Sequence, residues 1–532
     1  MKTRLLIMAA AMLLAVSSSR AQGDPNNSLD KFLEVVRLVT STYPDSINQG
    51  RLIDNTIKMM LKQLDPHTNY KTPAEAAEEQ RLLSSEKQGI GAICRYFSDT
   101  LTVISVVPRS PARKAGIRAG MKIDSINNVP VTNRILSSKD IRKIIESRND
   151  SLIISVIRGK SNKKYRIPIG TIRKTSIEAQ YSPNDSTTYI RIGMFTKFTG
   201  DEFDDVLASF SHKKLRNVII DMRDNPGGTL QPCVQICNHI IPQDRMIFTS
   251  YVANDSSNAE FANKSGLLKD SRIYILLNEN SASASEAVAS SVQDNDRGVI
   301  IGRRSYGKAL TQQIMWLEDG SKLSISNGRI ISPSGRCIQK PYTRGNFDSY
   351  YNEICTRRCH KEHICRDSMS TAGKPKFKTV IKHRTVYGEM GVTPDLFVPE
   401  DSTNMLRQAL DSIYNSDVED FAYEYVNAHR VRLTNTYGGF NKFYKNFKIS
   451  DMMVEAYRRY TRDNTYKLYN VMEEQNMPSD KDHRLKIEIK ANIALVLFGS
   501  SEYRQILNDY DSDYQAALRL IADPQSYWKY LE

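Results

Sequence analysis

The chain has 532 residues, 40% of them hydrophobic and 25% charged, with a formal net charge of +14. This is an ordinary globular composition, long enough for three or four domains with real cores. The positive excess is spread along the chain in short runs such as "SNKKYR" and "KPKFKTVIKHR", which reads as solvated surface and argues against a nucleic-acid interface.

In chain order, residues 1–21 read as a secretory signal peptide: Lys2 and Arg4, a short apolar stretch, then small residues ending at Ala21. The stretch is too short for a comfortable membrane span and no cysteine follows it for lipid attachment. The mature chain is therefore expected to be exported, with the periplasm favoured and no integral span. Losing Lys2, Arg4 and Arg20 lowers the formal charge to +11. Residues 28–85 form a helical N-terminal segment, with "LDKFLEVVRLV" and "RLIDNTIKMMLKQL" apolar at three-to-four spacing and a turn at "DPHTNY". Residues 86–170 are a small β-rich module of short alternating strands, interrupted by a short helix in "SPARKAG".

Between 171 and 400 strands alternate with helices in an α/β core, and the strands are continuous apolar runs, as expected where both faces are covered. Residues 401–532 carry helical periodicity without strand signals and read as a separate helical domain without a catalytic pattern. Seven cysteines leave at least one thiol unpaired. Cys233 and Cys237 lie at helical spacing and read as buried thiols. Cys355, Cys359 and Cys365, with His360 and His363, match no usual zinc spacing and favour a surface insertion near 345–383, with disulfide or metal left undecided.

"GRRSYGKA", residues 302–309, has the glycine and lysine spacing of a phosphate loop, but Ala309 stands where a magnesium-ligating hydroxyl belongs. The following stretch alternates around "EDGS" and reads as a hairpin, so the helix dipole such a loop needs is missing. A lysine in a tight turn between apolar strands has a different use. Desolvation lowers its pKa from about 10.4 and makes it a candidate base. "NENSASASEAVASSV" places a serine cluster where a strand meets a helix, and the helix N-terminus can stabilise an oxyanion. Ser283 and Glu286 are also spaced as a capping box, which explains the same residues without catalysis. "DMRDNPGG" ends a third strand in two glycines whose bare amides can point into a site. Nucleophile, base and oxyanion donors at three strand ends are what acyl transfer requires.

The ordered set "LDPHTNY", "GIGA", "SPARKAGIRAGMKIDSIN", "DMRDNPGG", "NENSASASEAVASSVQD", "GRRSYGKALTQ", "ISPSGRCIQ" and "GVTPD" resembles the carboxy-terminal-processing (tail-specific) serine peptidases over roughly residues 28–400. The resemblance implies a multidomain α/β protein: an α/β peptidase core at 171–400, described as a crotonase-like β-rich spiral, an inserted PDZ domain at 86–170, and helical segments at 28–85 and 401–532. It implies a Ser-Lys dyad of Ser283 and Lys308, with Gln312 supporting the lysine. The oxyanion hole would be formed by Ala284 and one of Gly227 or Gly228. Asp294 falls on an acidic position of the family that a salt bridge or cap explains equally well. Gly89, Ile90, Gly91 and Ala92 would hold a substrate's terminal carboxylate while its tail adds as a strand. The expected activity is endopeptidase cleavage of exported proteins bearing unstructured C-terminal tails, without cofactor or metal and with homo-oligomerisation left open. The alternative is a catalytically weak PDZ scaffold that binds tails.

Overall fold

The computed structural model describes residues 28–532 apart from 84–85, 98, 108, 134–135, 147–149, 159–160, 174, 253–255, 265, 401 and 465–480. The expected signal peptide lies outside the described residues. The α/β core is a six-stranded sheet in the order Ile177–Asn184, Thr187–Ile192, Asn217–Asp221, Arg272–Leu277, Gly298–Gly302 and Leu396–Phe397. The first pair is antiparallel and the remaining pairs are parallel. Alternate residues of the apolar runs point to opposite faces. Ile273, Ile275 and Leu277 pack with the helices Thr199–Ser209, Gln231–Ile240 and Ala284–Asp294. Tyr274 and Leu276 face the other way, with Tyr189, Ile219, Val299 and Ile301.

The last helices of the region expected as a C-terminal helical domain cover that second face. Tyr514, Ala516, Ala517 and Leu520 of the helix Ser512–Ala522, and Tyr527 of Pro524–Lys529, complete its core. Buried charge pins the same helices: Arg223 donates to Asp511 and Asp513, and also pairs with Asp221 at the end of its own strand. Helical periodicity shows that a face is apolar but not what it packs on.

The helices Ser402–Tyr437, Phe440–Asn446, Asp451–Asn464 and Lys481–Leu497 form a second helical cluster around Phe421, Tyr423, Phe443, Tyr457 and Ile493. Its long helix Ser402–Tyr437 docks on the PDZ domain, where Tyr423 stacks on Phe97 at 4.4 Å and donates to the Val103 carbonyl. Arg95 pairs there with Glu419 and Asp420. The C-terminal region thus touches both PDZ domain and core. The PDZ sheet runs Ala92–Phe97, Thr100–Val106, Lys122–Ile126, Ser151–Arg158 and Ser161–Pro168, with Ala92–Phe97 at its edge. A ribbon of Glu86–Gly89 against Gly170–Arg173 joins it to the core.

The sheet that carries the lysine turn's continuation is antiparallel. Leu310–Trp316 and Lys322–Ile331 form the hairpin expected around "EDGS", so no helix follows Lys308. The N-terminal segment is not wholly helical. After Gln49–Leu61 the turn at Asp65 leads into a strand, Asn69–Lys71, which pairs with Lys322–Ile331. The Asp65 carboxylate holds this turn by accepting from the amides of His67 and Thr68 and from Ser326 Oγ.

The insertion near 345–383 is not merely a surface feature. Its helices Asp348–Tyr351 and Glu353–Cys359 lie on the lysine turn. Arg357, buried, donates to the carbonyls of Arg304, Ser305 and Tyr306, and Glu353 accepts from Arg304, Lys340 and Arg357. The charges that made the stretch look solvated are paired with one another and with the core. All seven cysteines are free thiols, Cys233 and Cys237 buried and Cys355, Cys359 and Cys365 exposed. Among the described residues no helix is long and apolar enough to cross a membrane.

Candidate active site

Ser283 sits between the strand Arg272–Leu277 and the helix Ala284–Asp294 with φ 57° and ψ −115°. A serine without glycine neighbours adopts such a backbone only when its surroundings enforce it, and strain of this kind concentrates at functional sites. Hydrogen bonds on both sides supply the enforcement. Ser281 Oγ donates to the Met222 carbonyl, and Ser285 Oγ donates to that of Asn225. The sequence lacks the glycine-flanked serine of a nucleophile elbow, yet the strained turn is there.

Asn225 orders the glycine turn. Its Nδ2 donates to the Ile192 carbonyl and its Oδ1 accepts the amide of Gly227 at 2.9 Å. Of the two glycines, Gly227 therefore has its N–H engaged by Asn225. Neither position admits a side chain. A Cβ on Gly227, at φ +92°, would lie 2.7 Å from Ser283 Cβ and 2.8 Å from the Ala284 nitrogen. On Gly228, at φ +139°, it would lie 2.0 Å from the Phe195 carbonyl oxygen. Gly227, Gly228, Ser283 and Ala284 are thus brought together.

Lys308 reaches the same place through a residue that capping alone had accounted for. Glu286 is fully buried, and its Oε2 accepts the amides of both Ser283, at 2.9 Å, and Lys308, at 2.8 Å. Its Oε1 accepts from Ser305 Oγ at 2.5 Å and from the Gly307 amide at 2.6 Å. One carboxylate thereby fastens the serine turn to the lysine turn. Burial pushes its carboxyl above the ordinary range, opposed by these hydrogen bonds. Three of the four donors are backbone amides that cannot accept, which favours the ionised form.

The Lys308 ammonium is held below the ordinary amine range by burial, which outweighs the opposing carboxylates of Glu286 and Asp65. Its Nζ donates to Gln312 Oε1 at 3.3 Å rather than to Ser283. Gln312 Nε2 in turn donates to the His67 carbonyl at 2.8 Å, so the N-terminal turn reaches the site. Asp294 is explained by structure: fully buried, it pairs with Arg336 at 2.8 Å and accepts from Ser332 Oγ.

In the PDZ domain Gly89 ends the ribbon opposite Gly170, and Ala92 begins the edge strand. The carbonyls of Ile90 and Gly91 accept the amides of Ala112 and Val107, fixing the loop. Gly91, at φ +76°, packs so closely that a Cβ would meet Ser110 at 2.4 Å.

Comparison with known proteins follows this division. Residues 186–347 match peptidase family S41, residues 102–158 match the PDZ domain, and residues 411–499 match a family of unknown function. A probable CtpA-like serine protease of Staphylococcus haemolyticus is 26% identical over 336 residues, 63% of this chain and 67% of that protein. The carboxy-terminal processing protease CtpB of Bacillus subtilis is 26% identical over 335 residues, 61% of this chain and 68% of that one. Among solved structures, the photosystem II D1 C-terminal processing protease aligns with a TM-score of 0.35 at 19% identity, covering 69% of this chain and 92% of that one. The S41 match spans the glycine, serine and lysine turns and the PDZ match lies upstream of it, so the chain carries a region matching peptidase family S41 and a PDZ domain and is similar to carboxy-terminal processing proteases.

Proposed function

We propose that the protein is an exported endopeptidase, periplasmic by its N-terminal sequence, that cleaves proteins with unstructured C-terminal tails through a Ser283–Lys308 dyad. Neutral Lys308 takes the proton from Ser283 Oγ as that oxygen attacks the scissile carbonyl. The amides of Gly228 and Ala284 receive the oxyanion. The lysine, now charged, returns the proton to the leaving amine, and water then releases the acyl group from Ser283. Gln312 orients the Lys308 amine throughout. The loop Gly89–Ala92 holds the tail carboxylate, and the tail pairs with the edge strand. On the strength of the family resemblance we also read the core as crotonase-like.

The observation that carries this reading is Glu286 Oε2 shared by the amides of Ser283 and Lys308, with the serine in a strained turn beside Gly227. A scaffold that only bound tails would need none of it, and the relationship to peptidases does not favour that alternative. The test is incubation of the purified protein with an unfolded protein ending in an apolar tail, read by mass spectrometry. Ser283→Ala and Lys308→Ala should each lose on the order of 10⁴-fold or more in kcat, with tail binding retained. Lys308→Arg should be equally inactive, since a guanidinium keeps its proton. Substantial cleavage by any of the three variants would refute the dyad.

A further inference from the structure

Lys308 and Gln312 lie in a closed circuit of hydrogen bonds that draws on four separated stretches of chain. Lys308 Nζ donates to Gln312 Oε1, and Gln312 Nε2 donates to the His67 carbonyl. The His67 ring meets the Tyr350 hydroxyl at 2.7 Å. Gln339 Nε2 donates to that hydroxyl at 3.3 Å, while Gln339 Oε1 accepts the amide of Ala309 at 2.8 Å, and Ala309 follows Lys308. The Tyr350 oxygen accepts from Gln339, and with a neutral imidazole it can donate to His67 Nε2 or accept from it according to the tautomer. Tyr350 is 1% exposed and stands edge-on to the His67 ring. Tyr351 donates to the Pro66 carbonyl at 2.6 Å, tying the same two segments a second time.

We propose that the side chains of His67 and Tyr350 are positioning residues for the Lys308–Gln312 pair, so that the insertion helix and the N-terminal turn together hold the amine in its place. This rests on Lys308 acting as the base. Gln312 has two acceptor sites and two donors and can present either end to a lysine. Its Nε2 bond to the His67 carbonyl turns Oε1 toward Nζ, and the position of that carbonyl depends on where the His67 ring is anchored. Without the Tyr350 hydroxyl the ring loses its polar partner in a largely enclosed site. The charged groups facing His67 keep it neutral: burial and the nearby Lys308 and Lys340 lower its pKa to about 4, against the opposing Asp65. Tyr350 is held above the ordinary phenol range by burial, so it remains a donor.

The experiment compares Tyr350→Phe, His67→Leu, His67→Gln and the Tyr350→Phe/His67→Leu double variant in the full chain. The readouts are kcat and KM on a tail-bearing peptide, the labelling rate of Ser283 by a fluorophosphonate, and Tm, with Lys308→Ala alongside. Tyr350→Phe and His67→Leu should each lower kcat about tenfold, the scale of one hydrogen bond. KM should stay within about twofold and labelling should fall in parallel. The double variant should be no worse than the weaker single, because both break one circuit. His67→Gln, whose side-chain oxygen can accept from Tyr350, should recover most of the rate. Wild-type kcat in both single variants, additive losses, or losses that follow Tm and KM with no rescue by glutamine would overturn the proposal. An active Lys308→Ala would instead overturn the dyad on which it rests.

Discussion

Glu286→Gln tests the link between the serine and lysine turns with almost no change of shape. The carboxylate accepts four hydrogen bonds, from the amides of Ser283, Gly307 and Lys308 and from Ser305 Oγ. Glutamine has one acceptor oxygen, so its NH2 must face one pair of donors. Facing Ser305 and Gly307 is the lesser penalty, because the Ser305 hydroxyl can rotate to accept and only the Gly307 amide is stranded. A stranded buried donor costs about 1–3 kcal/mol, a large part of an ordinary stability of about 5–15 kcal/mol. Alanine would strand all three amides and compromise folding itself, so glutamine is the informative change. The substitution also removes the negative charge that raises the Lys308 pKa against burial. On the proposed mechanism activity requires neutral Lys308, so the acid limb of the kcat/KM profile should move to lower pH even as the maximal rate falls. Chemical denaturation and a pH–rate profile measure the two effects. A variant with unchanged stability and rate, or a limb that stays put or moves upward, would refute the account of Glu286 as fastener and electrostatic partner.

Three further outcomes are expected. His67 ionises near pH 4 in the folded protein against an ordinary 6.5, so the unfolded chain binds the additional proton first; its contribution is full above pH 6.5 and is lost toward pH 4, by up to about 3 kcal/mol. Denaturation curves across that window should therefore flatten in His67→Gln relative to the parent protein. Amidating the C-terminus of a tail peptide removes the charge offered to the Gly89–Ala92 loop, so calorimetry should show weaker binding, and equal affinity would refute carboxylate capture. Truncation before Ser512 uncovers the sheet face of Tyr189, Ile219, Tyr274 and Leu276 and removes Asp513 from Arg223, at about 1.5–3 kcal/mol for each large apolar side chain re-exposed. That protein should be insoluble on expression, and a soluble, active one would show that the last helices are dispensable.

What could be read from the sequence was what local pattern encodes. Period-two alternation around "EDGS" gave the hairpin that removes any phosphate-binding helix, and the continuous apolar run at Arg272–Leu277 gave a strand covered on both faces. Glycines at 227 and 228, the serine at a strand-to-helix turn and the lysine in the next turn were singled out by local pattern, and the fold gathers them. The identity of the layer on the second sheet face was not, because Tyr514 and Leu520 show only that their helix has an apolar side. The insertion misled for a related reason: Glu353, Arg357 and Arg358 count as polar whether they meet water or one another.

Glu286 shows where the boundary lies. Its spacing from Ser283 is that of a capping box, and the Ser283 amide does donate to it at 2.9 Å. The second function of the same oxygen, accepting the Lys308 amide, arises only when the strand Gly298–Gly302 lies beside Arg272–Leu277 and delivers the lysine turn to the start of the serine helix. His67 and Tyr350 are separated by 283 positions and meet at one hydrogen bond, so neither carries a local signal for the other. A neutral lysine needs its water excluded and its hydrogen bonds supplied from every side, and no single short segment can surround it. The proposed Ser283–Lys308 site is therefore announced by local motifs, while the groups that surround the lysine come from the N-terminal turn, the hairpin and the insertion.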